Sequence, residues 1–509
     1  MKAVRTFRLA FLFLLLGGLA ACTHAWRQDT AVWQPPPAPY IPATTPTATI
    51  FATPPHKPGT PYPTPTPDAP HPLPTLRAQQ TDYIVAEGDT LALLARRFNV
   101  SVQAIIAANH LQNPNILTVG STLVIPAPRP AAQAPAFKII PDAELVASPT
   151  SATFDLAAFV ARQGGLLAAY TEEVDGQTFT GAQLVARVAR DYSVNPRLLL
   201  ALLEYRGGWL SHRQVGEQAL RFPMGWRDPR RAGLWRQLHW AANELNRGYY
   251  LWRVDGLAAF VLADGQIVRP NPTANAGTAA VQHFFALLDG LADWQRDVGP
   301  EGFVQTYRRL FGYPFDYALE PLLPPDLRQP PMQLPFEPGV TWYFTGGPHS
   351  AWGDGAAWGA LDFAPGDVPP QHRCAVSHKW VTAVADGLVV RSEHGVVMLD
   401  LDGDGYEQTG WDVLYLHIAA EGRVAAGTRL HAGERIGHPS CEGGLANATH
   451  VHIARKYNGE WIPADRDLPW VLDGWVSQGT GRAYDGYLRR GNEVREACQC
   501  REAKNALSR

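Results

Sequence analysis

Between Gln34 and Thr75 the chain reads "QPPPAPYIPATTPTATI" and, further on, "PYPTPTPDAPHPLPT", with too little apolar periodicity to bury a core. Proline supplies no backbone N–H, so such a run neither continues a helix nor sits inside a sheet. It is extended and semi-rigid, rising about 3.1 Å per residue where polyproline-like, and can reach on the order of 100 Å. Residues 23–80 are therefore read as a stalk, and the folded units must be sought beyond it. A chain of 509 residues with 46% hydrophobic residues has material for several cores, and a formal charge of −3 gives no basic excess of the kind nucleic acid attracts. Partners must be inferred from sites, not from charge.

Ahead of the stalk, Lys2, Arg5 and Arg8 precede or interrupt the approach to "LAFLFLLLGGLA", and the segment closes on "LAAC" at Cys22. An apolar run this short, flanked this way, reads as a secretory signal over residues 1–22 and not as a membrane span. The small residues directly before a cysteine resemble the lipobox of bacterial lipoproteins. That resemblance implies that Cys22 becomes a lipid-modified N-terminus, anchoring an exported protein to the outer face of a bacterial membrane. Peptidoglycan is the polymer that a stalk there would reach. Four more cysteines, Cys374, Cys441, Cys498 and Cys500, lie late in the chain, where export permits oxidation and three pairings are open.

The first folded segment, residues 81–128, contains "YIVAEGDTLALLARRFNVSVQAIIAANHLQNPNILTVGSTLVIP" and reads as strand, helix, helix, strand. Asp89 or Thr90 can cap a helix with Leu91, Leu94, Ala95 and Phe98 on one face, and Ser101 can cap a second with Ile105, Ile106 and Ala108. Its "EGDTL" opening, "NP" loop and "VGSTLVIP" ending resemble a LysM domain, a small α+β fold. The resemblance implies recognition of N-acetylglucosamine-containing glycan in a groove lined by Gly88, Asp89, Thr90, Leu91, Asn113, Pro114 and Ile116.

Residues 129–153 are read as a second linker, and residues 154–325 as a mainly helical unit. In "YSVNPRLLLALLEYRGGWL", Asn195 is an N-cap and Pro196 a first helical residue, followed by an apolar stripe of Leu198, Leu199, Leu202 and Leu203. A helix running into a glutamate, here Glu204, resembles the lysozyme-like fold of lytic transglycosylases, although Tyr205 stands where that family usually has serine. A glycan-cleaving acid needs a raised pKa, which the neighbouring leucines and Trp209 are expected to provide. The blander reading makes Glu204 a helix-terminal residue of a domain that binds or positions glycan.

In "CEGGLANATHVHIA", residues 441–454, His450 and His452 are two apart in a strand-like setting and so project to one face. Upstream, "WYFTGGPHSAWGDGAAWGALDFAP" carries His349 and Asp362, with a Gly-rich loop between them and a strand-like "ALDFA" around the aspartate. Two imidazoles and one carboxylate leave a fourth tetrahedral position for water, which is the donor set of a catalytic zinc. The "GGPH…LDF" spacing, the cysteine before "EGG" and the final H-x-H, in that order, resemble lysostaphin-like zinc metallopeptidases of the beta-lytic and staphylolysin branch. The commoner pattern of that class has histidine four residues before the aspartate, where this chain has Trp358; the long-spacing branch takes its first ligand earlier, at His349. The resemblance implies an antiparallel β domain, here residues 326–480, with His349, Asp362 and His452 as zinc ligands. It also implies His450 as a catalytic histidine and His417, in "DVLYLHIA", as its partner.

Cys374 and Cys441 flank these strands and can bridge, which leaves Cys498 and Cys500 in a C-terminal tail, residues 481–509. "DLDGDGYEQTGWD", Asp400 to Asp412, begins like a calcium loop, but its twelfth position is Trp411, so it is read as an acidic hairpin tip. The expected whole is an anchored zinc endopeptidase that hydrolyses stem or cross-link peptides of peptidoglycan. Two other readings stay open: a non-catalytic wall-binding scaffold or hydrolase activator on a degenerate metallopeptidase fold, and a glycan-strand hydrolase or lyase acting through the helical unit.

Overall fold

The computed structural model describes residue 65 and residues 68–509; the signal segment, Cys22 and most of the stalk lie outside the described residues. Beyond them, three units follow in chain order. In the first, the strands Thr81–Ile84 and Thr122–Ile125 pair antiparallel and enclose the helices Leu91–Phe98 and Val102–Asn109. Thr90 and Ser101 start these helices by accepting from Leu93 N and Ala104 N, leaving one fewer orphan donor at each end. Val85, Leu91, Leu94, Ala95, Val100, Ile105, Leu123 and Ile125 form the core of this unit.

The second unit is mainly helical, and its centre is the helix Pro196–Gly207, capped by Asn195. Its apolar residues are not a stripe: every residue from Arg197 to Glu204 is buried, because helices pack on all its sides. The linker expected at residues 129–153 is not one. Pro130–Gln133 pairs parallel with Ile267–Arg269, and Ile139, Ile140, Ala143, Leu145 and Val146 enter the helical core. Glu144, fully buried there, is held by the Arg197 guanidinium at 2.9 Å and by the Tyr307 hydroxyl. A buried carboxylate needs such partners, so this segment is a structural part of the unit.

The third unit is an antiparallel β domain. Its main sheet runs in the order Arg429–Leu430, Gly387–Glu393, Val396–Asp400, Trp411–Leu416, Val451–Tyr457, Ala360–Ala364, Trp342–His349, Ala506–Leu507. The tail expected at residues 481–509 is also part of the fold. Gly486–Arg490 and Glu493–Glu496 are strands of a second sheet, and Ala506–Leu507 pairs with Trp342–Tyr343 at the edge of the first. Disulfides join Cys374 to Cys441 and Cys498 to Cys500.

One face of the main sheet does not see solvent. Val396, Met398, Leu414, Leu416 and Ala454 belong to the same apolar cluster as the helical unit. Polar contacts fringe this junction: Arg391 to Asp191 at 2.6 Å, Arg190 to Glu393 at 2.6 Å, and Arg253 and Tyr249 to Glu460 at 2.9 and 3.0 Å. The opposite face closes over a separate core that includes Phe336, Phe344, Phe363, Val413, Tyr415 and Trp470.

Candidate metal centre

Three neighbouring strands bring the upstream and downstream histidines together. In the antiparallel register, His452 lies directly opposite Asp362, and Asp362 lies opposite Gly346. Opposed residues project to one face about 4.5–5.5 Å apart, so sheet pairing alone aims His452 and Asp362 at a common point. Gly346 leaves room for the carboxylate: a Cβ there would meet Asp362 Oδ2 at 2.5 Å. His349 arrives from the end of the same strand as Gly346.

The donor atoms converge. His349 Nε2 is 3.0 Å from His452 Nδ1, and each is 3.3 Å from Asp362 Oδ1. A tetrahedral site with bonds of about 2.0–2.1 Å has donor–donor edges of about 3.3 Å, so the triangle has the size that zinc requires. Asp362 Oδ1 is buried and accepts no hydrogen bond, although an orphaned carboxylate oxygen is costly in an interior. All three residues are buried. The fit is to a small, borderline-soft cation on nitrogen and oxygen.

Each imidazole is tethered at its other nitrogen. His349 Nδ1 lies 2.8 Å from Gly347 O, and His452 Nε2 lies 3.1 Å from Ala351 O. His450 Nδ1 lies 2.7 Å from Ala448 O, and His417 Nδ1 lies 2.8 Å from Glu442 O. A ring nitrogen facing a carbonyl donates, so in the neutral form of each ring the remaining nitrogen carries the lone pair. His450 Nε2 stands 3.7 Å from Asp362 Oδ1, and the His417 and His450 rings are 4.5 Å apart. His417 sits at φ 68°, in the left-handed region.

Electrostatics divide these groups. Burial would raise the Asp362 carboxyl, but the charges of His349 and His450 outweigh it and hold the group well below the carboxylate range. Burial would lower His349, but Asp362 raises it above its ordinary value. His417 is pushed well below the ordinary imidazole value by burial and by His450 and His452, and burial likewise lowers His452. His417 is thus a neutral imidazole at neutral pH.

Tyr484 is a neighbour that sequence reasoning missed. Its ring stacks on His349 at 4.2 Å, its carbonyl accepts from Gly347 N at 2.7 Å, and its backbone lies at φ 68°. It lies in the stretch read as a tail, and "AYDGY" carries turn residues but no metal-site signature. Trp358, where the commoner pattern has histidine, is 38% exposed and is not among the converging donors.

Glu204 lies apart, in the helical unit, and its carboxylate is already engaged. Its carboxylate accepts from Leu210 N at 2.9 Å, Ser211 N at 3.1 Å and Arg309 at 2.8 Å. Burial pushes its pKa up, but the hydrogen bonds from Ser211, Arg309 and Leu210 outweigh burial, and the net shift is downward. A general acid needs the reverse. In the first unit, Gly88, Asp89, Thr90 and Leu91 follow one strand, and Asn113, Pro114 and Ile116 lie on the loop before the other. Ile116 is 65% exposed, whereas Leu91 is 5% exposed and its side chain belongs to the core, withdrawn from any groove. Asp89 Oδ2 is engaged by Tyr83 OH and Ala86 N at 2.8 and 2.7 Å.

A family model described as LysM domain matches residues 83–126, and one described as LasA, N-terminal domain matches residues 138–324. The latter covers the helical unit together with residues 138–153 of the stretch read as a linker. The chain is 40% identical over 60 residues to N-acetylmuramoyl-L-alanine amidase XlyA of Bacillus subtilis (strain 168), covering 12% of this chain and 20% of that protein. The chain therefore spans about a fifth of the length of that relative. Among solved structures, the M23 metalloprotease pseudoalterin from the deep sea is similar at 23% identity and TM-score 0.28, over 35% of this chain and 98% of that one. The catalytic domain of the antimicrobial peptidase lysostaphin from Staphylococcus simulans is similar at 20% identity and TM-score 0.18, over 25% and 89%.

Proposed function

We propose that this protein is a zinc endopeptidase that hydrolyses stem or cross-link peptides of peptidoglycan. The observation that carries the reading is the triangle of His349 Nε2, His452 Nδ1 and Asp362 Oδ1, with edges of 3.0–3.3 Å around an orphaned carboxylate oxygen. These three residues would hold the ion. Zinc, when bound, supplies Lewis acidity toward a scissile carbonyl and makes water a nucleophile near neutral pH.

The chain's own groups supply the rest. The lone pair at His450 Nε2, beside Asp362, is placed to move a proton between the nucleophile and the leaving amine. His417, neutral and 4.5 Å from His450 ring to ring, is placed to support that transfer as a proton acceptor at its free nitrogen. Gly347, Ala351, Glu442 and Ala448 hold the four rings in place through their carbonyls.

The LysM unit would target the enzyme to glycan through Gly88, Asp89, Thr90, Asn113, Pro114 and the exposed Ile116, with Leu91 contributing backbone only. Export and a lipid anchor at Cys22 complete the proposal, and would keep the enzyme beside the cell wall. The test is His349→Ala on the full chain, with zinc content and peptidoglycan products measured on the same folded preparations. New amino termini with wild-type protein, and loss of both zinc and cleavage in the variant, are expected. New reducing or anhydro sugar ends in place of amino termini would overturn the reading.

A further inference from the structure

The sheet face that carries His452 at one end carries a second group of acids at the other. Asp400 and Asp412 are opposed partners on antiparallel strands, and Asp412 is opposed in turn to Lys456. Asp400 and Asp412 therefore project side by side on one face, and both are 0% exposed. Asp402 and Asp404 come from the loop between the two strands, and single oxygens of Asp400, Asp402 and Asp404 lie within 4.8 Å of one another.

Asp412 sets this group apart from an ordinary acidic turn. Neither of its carboxylate oxygens has a hydrogen-bond partner. Lys456, the cation nearest in register, directs its ammonium to Glu407 at 3.2 Å. Two orphaned oxygens on a fully buried side chain, opposed in register to Asp400, are costly unless something positive joins them. We propose that the Asp400–Asp412 hairpin is a binding site for one calcium-class divalent cation, held by carboxylate oxygens of Asp400, Asp402, Asp404 and Asp412.

The chemistry of the donors selects the class of ion. All are hard oxygens, with no imidazole or thiolate among them, which suits calcium and not zinc. The spacing of Asp400, Asp402, Asp404 and Gly405 follows positions 1, 3, 5 and 6 of a calcium loop, and Gly405 has the required positive φ of 93°. Trp411 occupies the twelfth position, where a glutamate would close such a loop. Asp412, one residue on and brought inward by strand pairing, takes that place. Backbone carbonyls or waters would fill the remaining positions.

The site is separate from the zinc centre, so its test uses zinc-loaded full-length protein and reads binding, not cleavage. Terbium(III), a calcium surrogate, is titrated with excitation of tryptophan, since Trp411 adjoins the site. Sensitised emission should saturate at one equivalent and be competed by calcium. Asp402→Asn, at an exposed position, should weaken both ions tenfold or more, and Asp404→Asn should do likewise. Asp412→Asn should match them, and if it fails to fold, the first two variants still decide. Absence of saturable emission in the wild type, or wild-type affinity in both Asp402→Asn and Asp404→Asn, would overturn the proposal.

Discussion

Asp362 and Glu204 are both buried carboxylates that sequence reading marked for chemistry, and they differ in what surrounds them. Glu204 has its charge matched by two backbone donors and a guanidinium. Asp362 has an oxygen that accepts nothing, at the meeting point of two imidazole lone pairs. A carboxylate with all its partners made holds the fold together, and one left open has a vacancy in its bonding that a ligand can fill. Burial alone does not separate the two cases; the state of the acceptor oxygens does.

The largest effect that sharpens this contrast is expected from Asp362→Ala. Loss of one of three protein ligands should lower zinc affinity by more than the roughly 10–100-fold typical of losing an outer-shell partner, and activity should fall with it. Zinc retained at one equivalent after dialysis, with full activity, would break the comparison. His450→Ala comes next. Zinc should stay bound while turnover falls by roughly a hundredfold or more, read as initial rate at matched metal content.

Glu204→Gln should act on the other side of the contrast. Cleavage by the folded protein should stay within about twofold of wild type, while denaturant unfolding should register a loss of about 1–3 kcal/mol from weakened charged hydrogen bonds. A large fall in rate with unchanged stability would instead assign Glu204 a catalytic role. A last test, read on stability against pH, concerns Glu407, another carboxylate with its partners made, by Arg391 and Lys456. Burial opposes its charge, but Arg391 and Lys456 bring it down to about 2. A depressed carboxyl stabilises above its unfolded value and loses that contribution as pH falls through its folded value. Between about pH 4.5 and 2 the wild type should therefore lose on the order of 3 kcal/mol that Glu407→Gln does not lose over the same range, as measured by unfolding midpoints against pH.

What could be read in the sequence was set by how local the cause is. Caps at Thr90, Ser101 and Asn195 depend on a few neighbouring residues and are found where their side chains and spacing suggest. The convergence of His349, Asp362 and His452 could be anticipated because donor type and strand alternation are both written in the chain. Glu204 could not be judged this way. Its leucine and tryptophan neighbours suggest an apolar setting, but Arg309 arrives from another helix and decides the charge state. Tyr484 escaped notice because only the closing of the second sheet brings it to His349. Residues 129–153 look like a linker by their alanines and prolines, yet Ile139, Ile140, Leu145 and Val146 find a core that their own segment does not contain.

The carbonyl tethers on the four imidazoles have a consequence for the entropy of metal binding. Gly347, Ala351, Glu442 and Ala448 each take the second nitrogen of one ring, so backbone carbonyls set the orientation of all four imidazoles. Small zinc modules behave otherwise, since their chains collapse only around the metal. Here part of the rotational entropy of the four side chains is surrendered to the backbone tethers, so an ion bound at this centre has less disorder left to remove.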